Sequence, residues 1–127
     1  GICLGMQMLF EESEEGNSKG IGLIKGRVKK FNFKGKELKI PHMGWNNISI
    51  KKKDTILGDK ISQRYYFVHS YYVECSDYKD IVATTEYGYD FVSAVKKKNI
   101  FAIQFHPEKS HKDGINFFKN FVKDTND

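Results

Sequence analysis

Long apolar runs and a signal-like start are both lacking in this 127-residue chain. A helix that spans a bilayer needs about 20 consecutive apolar residues, and a secretory leader joins a basic start to an apolar stretch. Neither pattern occurs, so we expect a cytoplasmic protein without a membrane partner. Hydrophobic residues at 39% and aromatic residues at 14% suit a folded domain rather than a disordered segment.

Cysteine is scarce, with only Cys3 and Cys75 in the chain. Two cysteines cannot build a disulfide framework, and a structural zinc site would need more ligands at closer spacing. We therefore expect reduced thiols in a reducing compartment and no metal site.

Arginine is also scarce, since Arg27 and Arg64 are the only arginines among 21 basic residues in a chain of net charge +5. Nucleic-acid readers use arginine for bidentate contacts with phosphates and guanines. The lysines stand in short runs that are typical of solvated loops and strand ends. These features argue against a nucleic-acid partner.

Hydrophobic periodicity predicts an α/β domain that begins and ends with a helix. An apolar stripe predicts the first helix, and helical spacing of apolar residues predicts an amphipathic last one. Lys98 and Asn99 are the predicted turn of a hairpin. The predicted helices are residues 4–15 and 113–123, and the predicted strands are residues 27–33, 38–40, 65–75, 81–85, 91–97 and 100–105.

Gly1-Ile2-Cys3-Leu4-Gly5 has the form of a nucleophile elbow, a tight turn from a strand into a helix. We expect glycine on both sides because a Cβ there would collide with neighbouring backbone. The helix N-terminus should favour the Cys3 thiolate, and the Leu4 N–H could donate to an oxyanion. A buried structural cysteine beside glycines is the alternative interpretation of this motif alone.

His106 is the strongest candidate for a base among the four histidines. Pro107 restricts His106 to an extended conformation, and side chains two apart in an extended segment project to one side. Glu108 could then orient the imidazole and stabilise its protonated form. Taken alone, His-Pro-Glu would more often be an exposed loop, but the occurrence of both motifs favours a Cys-His-Glu triad.

These two motifs resemble the signature blocks of the class I glutamine amidotransferases. Two further blocks, Pro-His-Met-Gly-Trp-Asn at residues 41–46 and Tyr-Phe-Val-His-Ser-Tyr-Tyr at residues 66–72, together with Lys109 and Ser110, resemble the glutaminase subunits of imidazole glycerol phosphate synthase. The resemblance implies a flavodoxin-like α/β fold, a mixed sheet flanked by helices. It implies glutamine as substrate, no cofactor, and a (β/α)8-barrel cyclase subunit as partner in histidine biosynthesis.

The resemblance also implies a role for each site residue. Cys3 would form a γ-glutamyl thioester, with His106 as acid and base and Glu108 as its orienting carboxylate. The implied substrate-binding residues are Leu4, Gln7, Glu15, Ser70 and Tyr71, and the implied cyclase-facing residues are Met43, Trp45, Asn46 and Lys109. Gln7 and Glu15 could instead be plain helix surface, and Trp45 could be a core residue. His42, His69 and His111 are expected to be structural or exposed.

Compared with that family, the sequence is expected to be the C-terminal portion of a single amidotransferase domain, residues 1–127, with the N-terminal part absent. That part supplies the first strands and a second oxyanion donor in the family. We therefore expect these residues alone to be poorly stable and nearly inactive.

Three alternatives remain open at this point. The chain could be a related glutaminase that feeds a surface-sugar amidotransferase, or another class I enzyme such as a glutaminase for anthranilate or a γ-glutamyl hydrolase. It could also be a catalytically silent module that only docks on a barrel partner. An intact triad argues against the silent module, and the Pro-His-Met-Gly-Trp-Asn block argues against the second alternative.

Overall fold

The computed structural model describes residues 1–53 and 56–126. Over this part of the chain, nine strands form one mixed sheet, with a short helix at its start and a long helix at its end. The elements are α1 (Leu4–Gln7), β1 (Glu12–Ser13), β2 (Ser18–Lys19), β3 (Gly26–Lys30), β4 (His42–Ile50), β5 (Gln63–His69), β6 (Tyr71–Cys75), β7 (Ile81–Tyr87), β8 (Tyr89–Lys97), β9 (Ile100–Ile103) and α2 (His111–Asn126). Three 3-10 turns cover Glu15–Asn17, Tyr78–Asp80 and Pro107–Lys109.

The strand order is β2-β1-β3-β6-β8-β7-β4-β5, with β9 paired to β8 outside this path. β1 and β3 run parallel, and the other described strand pairs are antiparallel. Ile2 forms a further parallel bridge with Ile103 at the end of β9. This bridge places the segment that carries Cys3 beside the strand that leads to His106.

The alternating pattern of β5 is confirmed as the pattern of a half-buried strand. Gln63, Tyr65, Phe67 and His69 are buried, whereas the residues between them are more exposed. The predicted hairpin is β8 and β9, and Lys98 adopts a positive φ of 56° in its turn. Tyr65 and Phe67 therefore belong to the core.

The core consists of two apolar clusters that lie along the sheet. One joins β4, β5, β7 and β8 to α2 through residues such as Phe67, Phe105 and Phe117. The other packs Met6 and Phe10 against β3, β6, β8 and β9. Burial of Met6 and Phe10, both fully inaccessible, anchors the segment that follows Cys3.

The predicted helix over residues 4–15 is wrong beyond its first turn, because α1 ends at Gln7. The apolar stripe that suggested it is not a buried face, since Leu4 and Met8 are exposed. The Glu11 and Glu14 N–H groups donate to carbonyls of β3 at 3.1 and 2.9 Å. Pairing with β3 therefore outweighs the local helical periodicity, and Glu15 lies in a 3-10 turn.

Two predicted strands also need correction. Residues 38–40 lie outside every described strand, and residues 65–75 form two strands, β5 and β6, that are separated at Ser70. The chain changes pairing partner at this point, since β5 pairs with β4 and β6 pairs with β3. The predicted strand 27–33 begins one residue earlier and ends at Lys30, and residues 81–85 are confirmed within β7.

The C-terminal helix is confirmed, but its apolar residues are not all buried. Only Phe117 is in the core, while Ile115, Phe118, Phe121 and Val122 are exposed. Within the described residues, no helix has the length and apolar character needed to cross a membrane.

Candidate active site

Cys3 sits on a strained turn between the Ile2–Ile103 bridge and α1. Its φ of 54° and ψ of −109° are unusual for a residue with a Cβ. The Cys3 N–H donates to the Ile103 carbonyl at 2.8 Å, which fixes the turn against β9. Such strain costs about 1–3 kcal/mol and concentrates at functional sites, and a nucleophile elbow has this geometry.

The close packing of the elbow explains why residue 1 is glycine, but it does not explain the glycine at residue 5. A Cβ on Gly1 would lie 2.7 Å from the Gly5 carbonyl oxygen, so a side chain there would displace backbone. A Cβ on Gly5 would meet no described atom within 4 Å. The expectation of a collision is therefore confirmed for Gly1 and wrong for Gly5 over the described residues.

The Cys3 sulfur is more enclosed than the elbow motif suggests. Burial raises the pKa of its thiol above the usual value, and hydrogen bonds from the Leu4 N–H and Gln104 only partly oppose this effect. The nearby Glu108 carboxylate raises the pKa further, whereas Lys109 lowers it. The Leu4 N–H at the helix N-terminus does favour the thiolate, as expected, but desolvation outweighs it in the free protein and the net shift of the Cys3 pKa is upward.

We expect the rate of Cys3 alkylation by iodoacetamide to keep rising with pH beyond 9, because the thiolate is the reacting form and burial disfavours it. Peptide mass spectrometry of the natural full-length protein measures this rate at Cys3. A plateau reached below pH 7 would contradict the raised pKa and would restore the helix dipole as the dominant effect.

His106 and Glu108 are paired as the sequence predicts. The Nδ1 of His106 lies 2.9 Å from Oε2 of Glu108, so Nδ1–H donates to the carboxylate and Nε2 is left as the basic nitrogen. His106 is extended, with φ −102° and ψ 95°, as expected before Pro107. The Ser110 hydroxyl donates to the His106 carbonyl at 2.6 Å and holds the loop closed.

The edge of β5 brings Cys3 and His106 to one place. The His106 N–H donates to the Tyr66 carbonyl at 2.9 Å, and the Cys3 S–H donates to the Val68 carbonyl at 3.8 Å. Tyr66 and Val68 are two residues apart on one strand, which corresponds to about 7 Å. The structure therefore places Cys3, the predicted nucleophile, and His106, the predicted base, along one edge of β5.

Three of the five predicted substrate-binding residues, Leu4, Gln7 and Glu15, line one cavity of about 280 Å³. This volume lies just below the range of about 300–1,000 Å³ that is typical of drug-sized ligands, so the cavity suits a ligand of amino-acid size. The cavities of about 590 Å³ beside α2, 580 Å³ between β3 and β8, and 580 Å³ beside the end of β4 are lined by none of the predicted site residues. A cavity of about 320 Å³ beside the start of α2 is lined by Glu108 and Lys109 but by no predicted substrate-binding residue. We take the 280 Å³ cavity as the candidate substrate site because three predicted substrate-binding residues line it.

Ser70 and Tyr71, the other two predicted substrate-binding residues, connect β5 to β6. The Tyr71 carbonyl accepts from Gln7 Nε2 at 3.0 Å and from His69 Nδ1 at 2.8 Å. The Ser70 carbonyl is bonded to the Phe31 N–H. Both carbonyl groups are used inside the chain, and because a carbonyl can only accept, contact with an anionic ligand would fall to hydrogen-bond donors of this turn.

His42 and His69 form a buried pair across β4 and β5, where they are register partners. A carbonyl can only accept, so His69 Nδ1–H donates to Tyr71 and Nε2 accepts from His42 Nδ1 at 3.0 Å. Asn46 Nδ2 then donates to His42 Nε2 at 3.2 Å. Burial lowers the pKa of His42 to about 4 and that of His69 to about 3. The two rings are therefore neutral, structural groups.

We expect the free energy of unfolding to fall by about 2 kcal/mol between pH 6.5 and 5.5 because of this pair. In the unfolded chain the two histidines titrate near 6.5, whereas in the folded protein their pKa values are lowered to about 4 and about 3. As the pH falls from about 6.5 towards 4, the unfolded state therefore binds more protons than the folded state, and stability is lost. Urea unfolding at both pH values measures the loss. A His42→Gln variant should show about half of it, and an unchanged loss in that variant would contradict the assignment.

The predicted cyclase-facing residues lie on β4 and on the turn after His106. Met43 is 62% exposed and Trp45 is 39% exposed, so Trp45 is not a core residue. The Trp45 ring stacks on His111 with centroids 5.4 Å apart, and the Arg64 guanidinium lies 5.4 Å from the ring centroid. Lys109 is exposed, whereas the amide nitrogen of Asn46 is bonded to His42 and to the Glu86 carbonyl.

Gln104 is a site residue that sequence reasoning missed. It is fully buried, and its Nε2 lies 3.5 Å from the sulfur of Cys3. The available signal was a single amide in the apolar strand before His106, two residues from the predicted base. Among the described residues, no three His, Cys, Asp or Glu side chains are grouped to hold a metal ion.

Comparison with known families agrees with this geometry. The family described as glutamine amidotransferase class-I matches residues 1–125. The chain belongs to this family.

Curated relatives of this amidotransferase chain carry the name imidazole glycerol phosphate synthase subunit HisH. The chain is 50% identical to the one from Leptospira borgpetersenii over 125 residues, which are 96% of the chain and 61% of that relative. It is 54% identical to the one from Methanocaldococcus jannaschii, over 97% of the chain and 62% of that relative. The chain therefore spans about three fifths of the length of the curated relatives that it matches.

Solved amidotransferase structures share the fold at low sequence identity. A crystal structure of a glutamine amidotransferase aligns with a TM-score of 0.62 and 18% identity, over 94% of this chain and 58% of that one. The glutaminase domain of Trypanosoma brucei CTPS, solved with bound acivicin, aligns with a TM-score of 0.58 and 21% identity, over 97% and 59% of the two chains. The class I amidotransferase fold, with its mixed sheet and flanking helices, is confirmed.

Proposed function

We propose that this chain belongs to a glutaminase subunit that hydrolyses glutamine to glutamate and ammonia. A cyclase partner would use the ammonia to form imidazole glycerol phosphate in histidine biosynthesis. The single observation that carries the chemistry is the arrangement at the edge of β5, where the Cys3 sulfur and the backbone of His106, which is bonded to Glu108, contact carbonyls two residues apart on one strand. Identity of about half to relatives named HisH supports the pathway.

In the proposed mechanism, the Cys3 sulfur attacks the side-chain amide carbon of glutamine. Because burial favours the thiol in the free protein, the proton passes to His106 Nε2 as the bond forms, and Glu108 stabilises the imidazolium through Nδ1. His106 then returns the proton to the leaving ammonia, which yields a γ-glutamyl thioester. A water activated by His106 cleaves the thioester to glutamate and restores Cys3. The reaction needs no cofactor.

The cavity beside α1 is the proposed glutamine site. Glu15, exposed at its wall, would pair with the α-amine, and Gln7 would contact the substrate through its carbonyl oxygen, because its amide nitrogen is bonded to Tyr71 and Gln104. The turn at Ser70 and Tyr71 would receive the α-carboxylate. The Leu4 N–H, which faces the thiol of the free protein, would donate to the oxyanion once the sulfur is acylated.

The proposed partner is a (β/α)8-barrel cyclase subunit, and the proposed docking face is formed by Met43, Trp45, Asn46 and Lys109. An exposed tryptophan braced by His111 and Arg64 has the rigidity and area of an interface anchor. The face adjoins the loop of His106, so ammonia formed there would have a short path to the partner. We place this reaction in the cytoplasm.

Trapping with a glutamine-analogue electrophile tests the activity. The natural full-length protein, with its cyclase partner, should gain one adduct on Cys3, and glutamine should slow its formation. An absence of adduct on Cys3 would favour a silent docking module. Restoration of growth to a histidine auxotroph tests the pathway, and labelling without restoration would favour a glutaminase with a different ammonia acceptor.

A further inference from the structure

We propose that Gln104 is the residue that positions the Cys3 sulfur for attack, through an amide N–H that donates to Sγ. The contact is 3.5 Å long and joins residues 101 positions apart in the sequence. Gln104 has no solvent exposure, and its backbone N–H donates to the Ser93 carbonyl in β8 at 2.9 Å. The inference rests on the proposed function, because it assigns a role to Gln104 in the same reaction.

The orientation of the Gln104 amide follows from its neighbours. The Tyr71 carbonyl can only accept, so the group of Gln7 that lies 3.0 Å from it must be Nε2. The same nitrogen lies 3.0 Å from Gln104, which must therefore present its oxygen to Gln7. Gln104 Nε2 is then the atom that faces Cys3. A flipped amide would oppose two N–H donors and would turn an oxygen towards the sulfur.

The contacts of Sγ distinguish between its two protonation states. The Val68 carbonyl, 3.8 Å away, can accept only while the sulfur carries a proton. The Leu4 N–H and Gln104 N–H groups donate to the sulfur and remain favourable when the proton leaves. Because burial works against the charged sulfur, these donors are its main local compensation. Gln104 is the one of the two that a substitution can remove.

Substitution of Gln104 by methionine tests this role, because methionine keeps a long unbranched chain and lacks the N–H donor. Alkylation of Cys3 by iodoacetamide is followed against pH by peptide mass spectrometry in the natural full-length protein. We expect the apparent pKa of Cys3 to rise by about one unit, so alkylation near neutral pH slows about tenfold. Hydrolysis of glutamine should lose kcat while KM stays within about twofold.

Gln63→Met is the matched control. Gln63 is also a buried glutamine, but its amide binds the carbonyls of Leu57 and Lys60, and its oxygen accepts from Tyr65. Glu108 and Lys109, the charged groups that act on the thiol, remain in both variants, as does His106. A purely structural role for buried amides predicts the same effect in both variants. An equal shift in the two variants, or none in Gln104→Met, overturns the proposal.

Gln7→Met provides the deciding measurement if Gln104→Met does not fold. It removes the donor that orients the Gln104 amide, so we expect a smaller rise of the Cys3 pKa, and no rise overturns the proposal. Alkylation needs no glutamine, so it is independent of the glutaminase assay. If the Cys3 pKa rises in the variant but the glutamine analogue does not label Cys3 of the unaltered protein, only the proposed function is contradicted. If Cys3 is labelled but its pKa does not rise in the variant, only the role of Gln104 is contradicted.

Discussion

Replacement of Cys3 with alanine is expected to lower glutamine hydrolysis by at least about 10⁴-fold, since removal of a triad nucleophile leaves only binding and oxyanion stabilisation. The strained elbow presents this sulfur to the edge of β5, where His106 is bonded. No neighbouring side chain can take over its attack on the amide carbon. Release of glutamate from glutamine by the natural full-length protein, with its partner present, measures the loss.

Cys75→Ala is the matched control for this prediction. Cys75 ends β6, and burial with the nearby carboxylates of Asp80 and Asp77 raises its pKa to about 12. It is therefore protonated near neutral pH, and the charged groups that act on its thiol are carboxylates rather than the histidine that the mechanism needs as a base. We expect its variant to keep activity within about twofold. Comparable losses in both variants would point to a general disturbance of the fold and would contradict the assignment of Cys3.

The chemistry of the site was accessible to sequence reasoning because each half of it is local. Pro107 restricts His106 to an extended conformation, and the 3-10 turn that follows places Glu108 Oε2 2.9 Å from His106 Nδ1, so both steps are local in the sequence. The elbow likewise follows from five consecutive residues. The meeting of the two halves is not local, since it depends on β5, whose Tyr66 and Val68 carbonyls bind one residue from each half.

Competition between local and tertiary preferences explains the helix that does not form. Residues 4–15 have helical spacing, yet the N–H groups of Glu11 and Glu14 pair with β3. Single-segment periodicity contains no information about an available strand edge. The same reasoning applies to the histidine pair, because only the register of β4 with β5 sets His42 opposite His69.

The pKa of the Cys3 thiol depends on the balance between burial and hydrogen bonding, and the sequence motif does not specify this balance. The elbow motif supplies favourable N–H groups, and the fold supplies burial, which opposes them and prevails in the free protein. Because burial disfavours the thiolate, the N–H donors around the sulfur are needed to stabilise it, and Gln104 is one of these donors. The motif alone does not predict this role. A glutamine in an apolar strand acquires meaning only once its amide is seen between Gln7 and Cys3.

Gly114→Ala is expected to destabilise the protein by about 3 kcal/mol, although alanine normally stabilises a helix relative to glycine by about 1 kcal/mol. Gly114 lies in the first turn of α2, where a Cβ would stand 1.9 Å from the Pro107 carbonyl oxygen and 3.1 Å from the Ser110 Cβ. The clash is with backbone, so α2 or the 3-10 turn before it must move. That turn carries Glu108, and we expect glutamine hydrolysis to fall as well.

Asn116→Ala separates this clash from any effect of alanine in α2. Asn116 is exposed two residues further along the same helix, so its substitution should be neutral or slightly stabilising. Urea unfolding gives both free energies, and assays well below the unfolding midpoint report activity of the folded variant. A stable but weakly active Gly114→Ala protein would mean that the 3-10 turn at Pro107 had moved to relieve the clash while α2 had kept its position. Equal midpoints with full activity in both variants would show that the contact between Gly114 and Pro107 does not support the loop of His106 and Glu108.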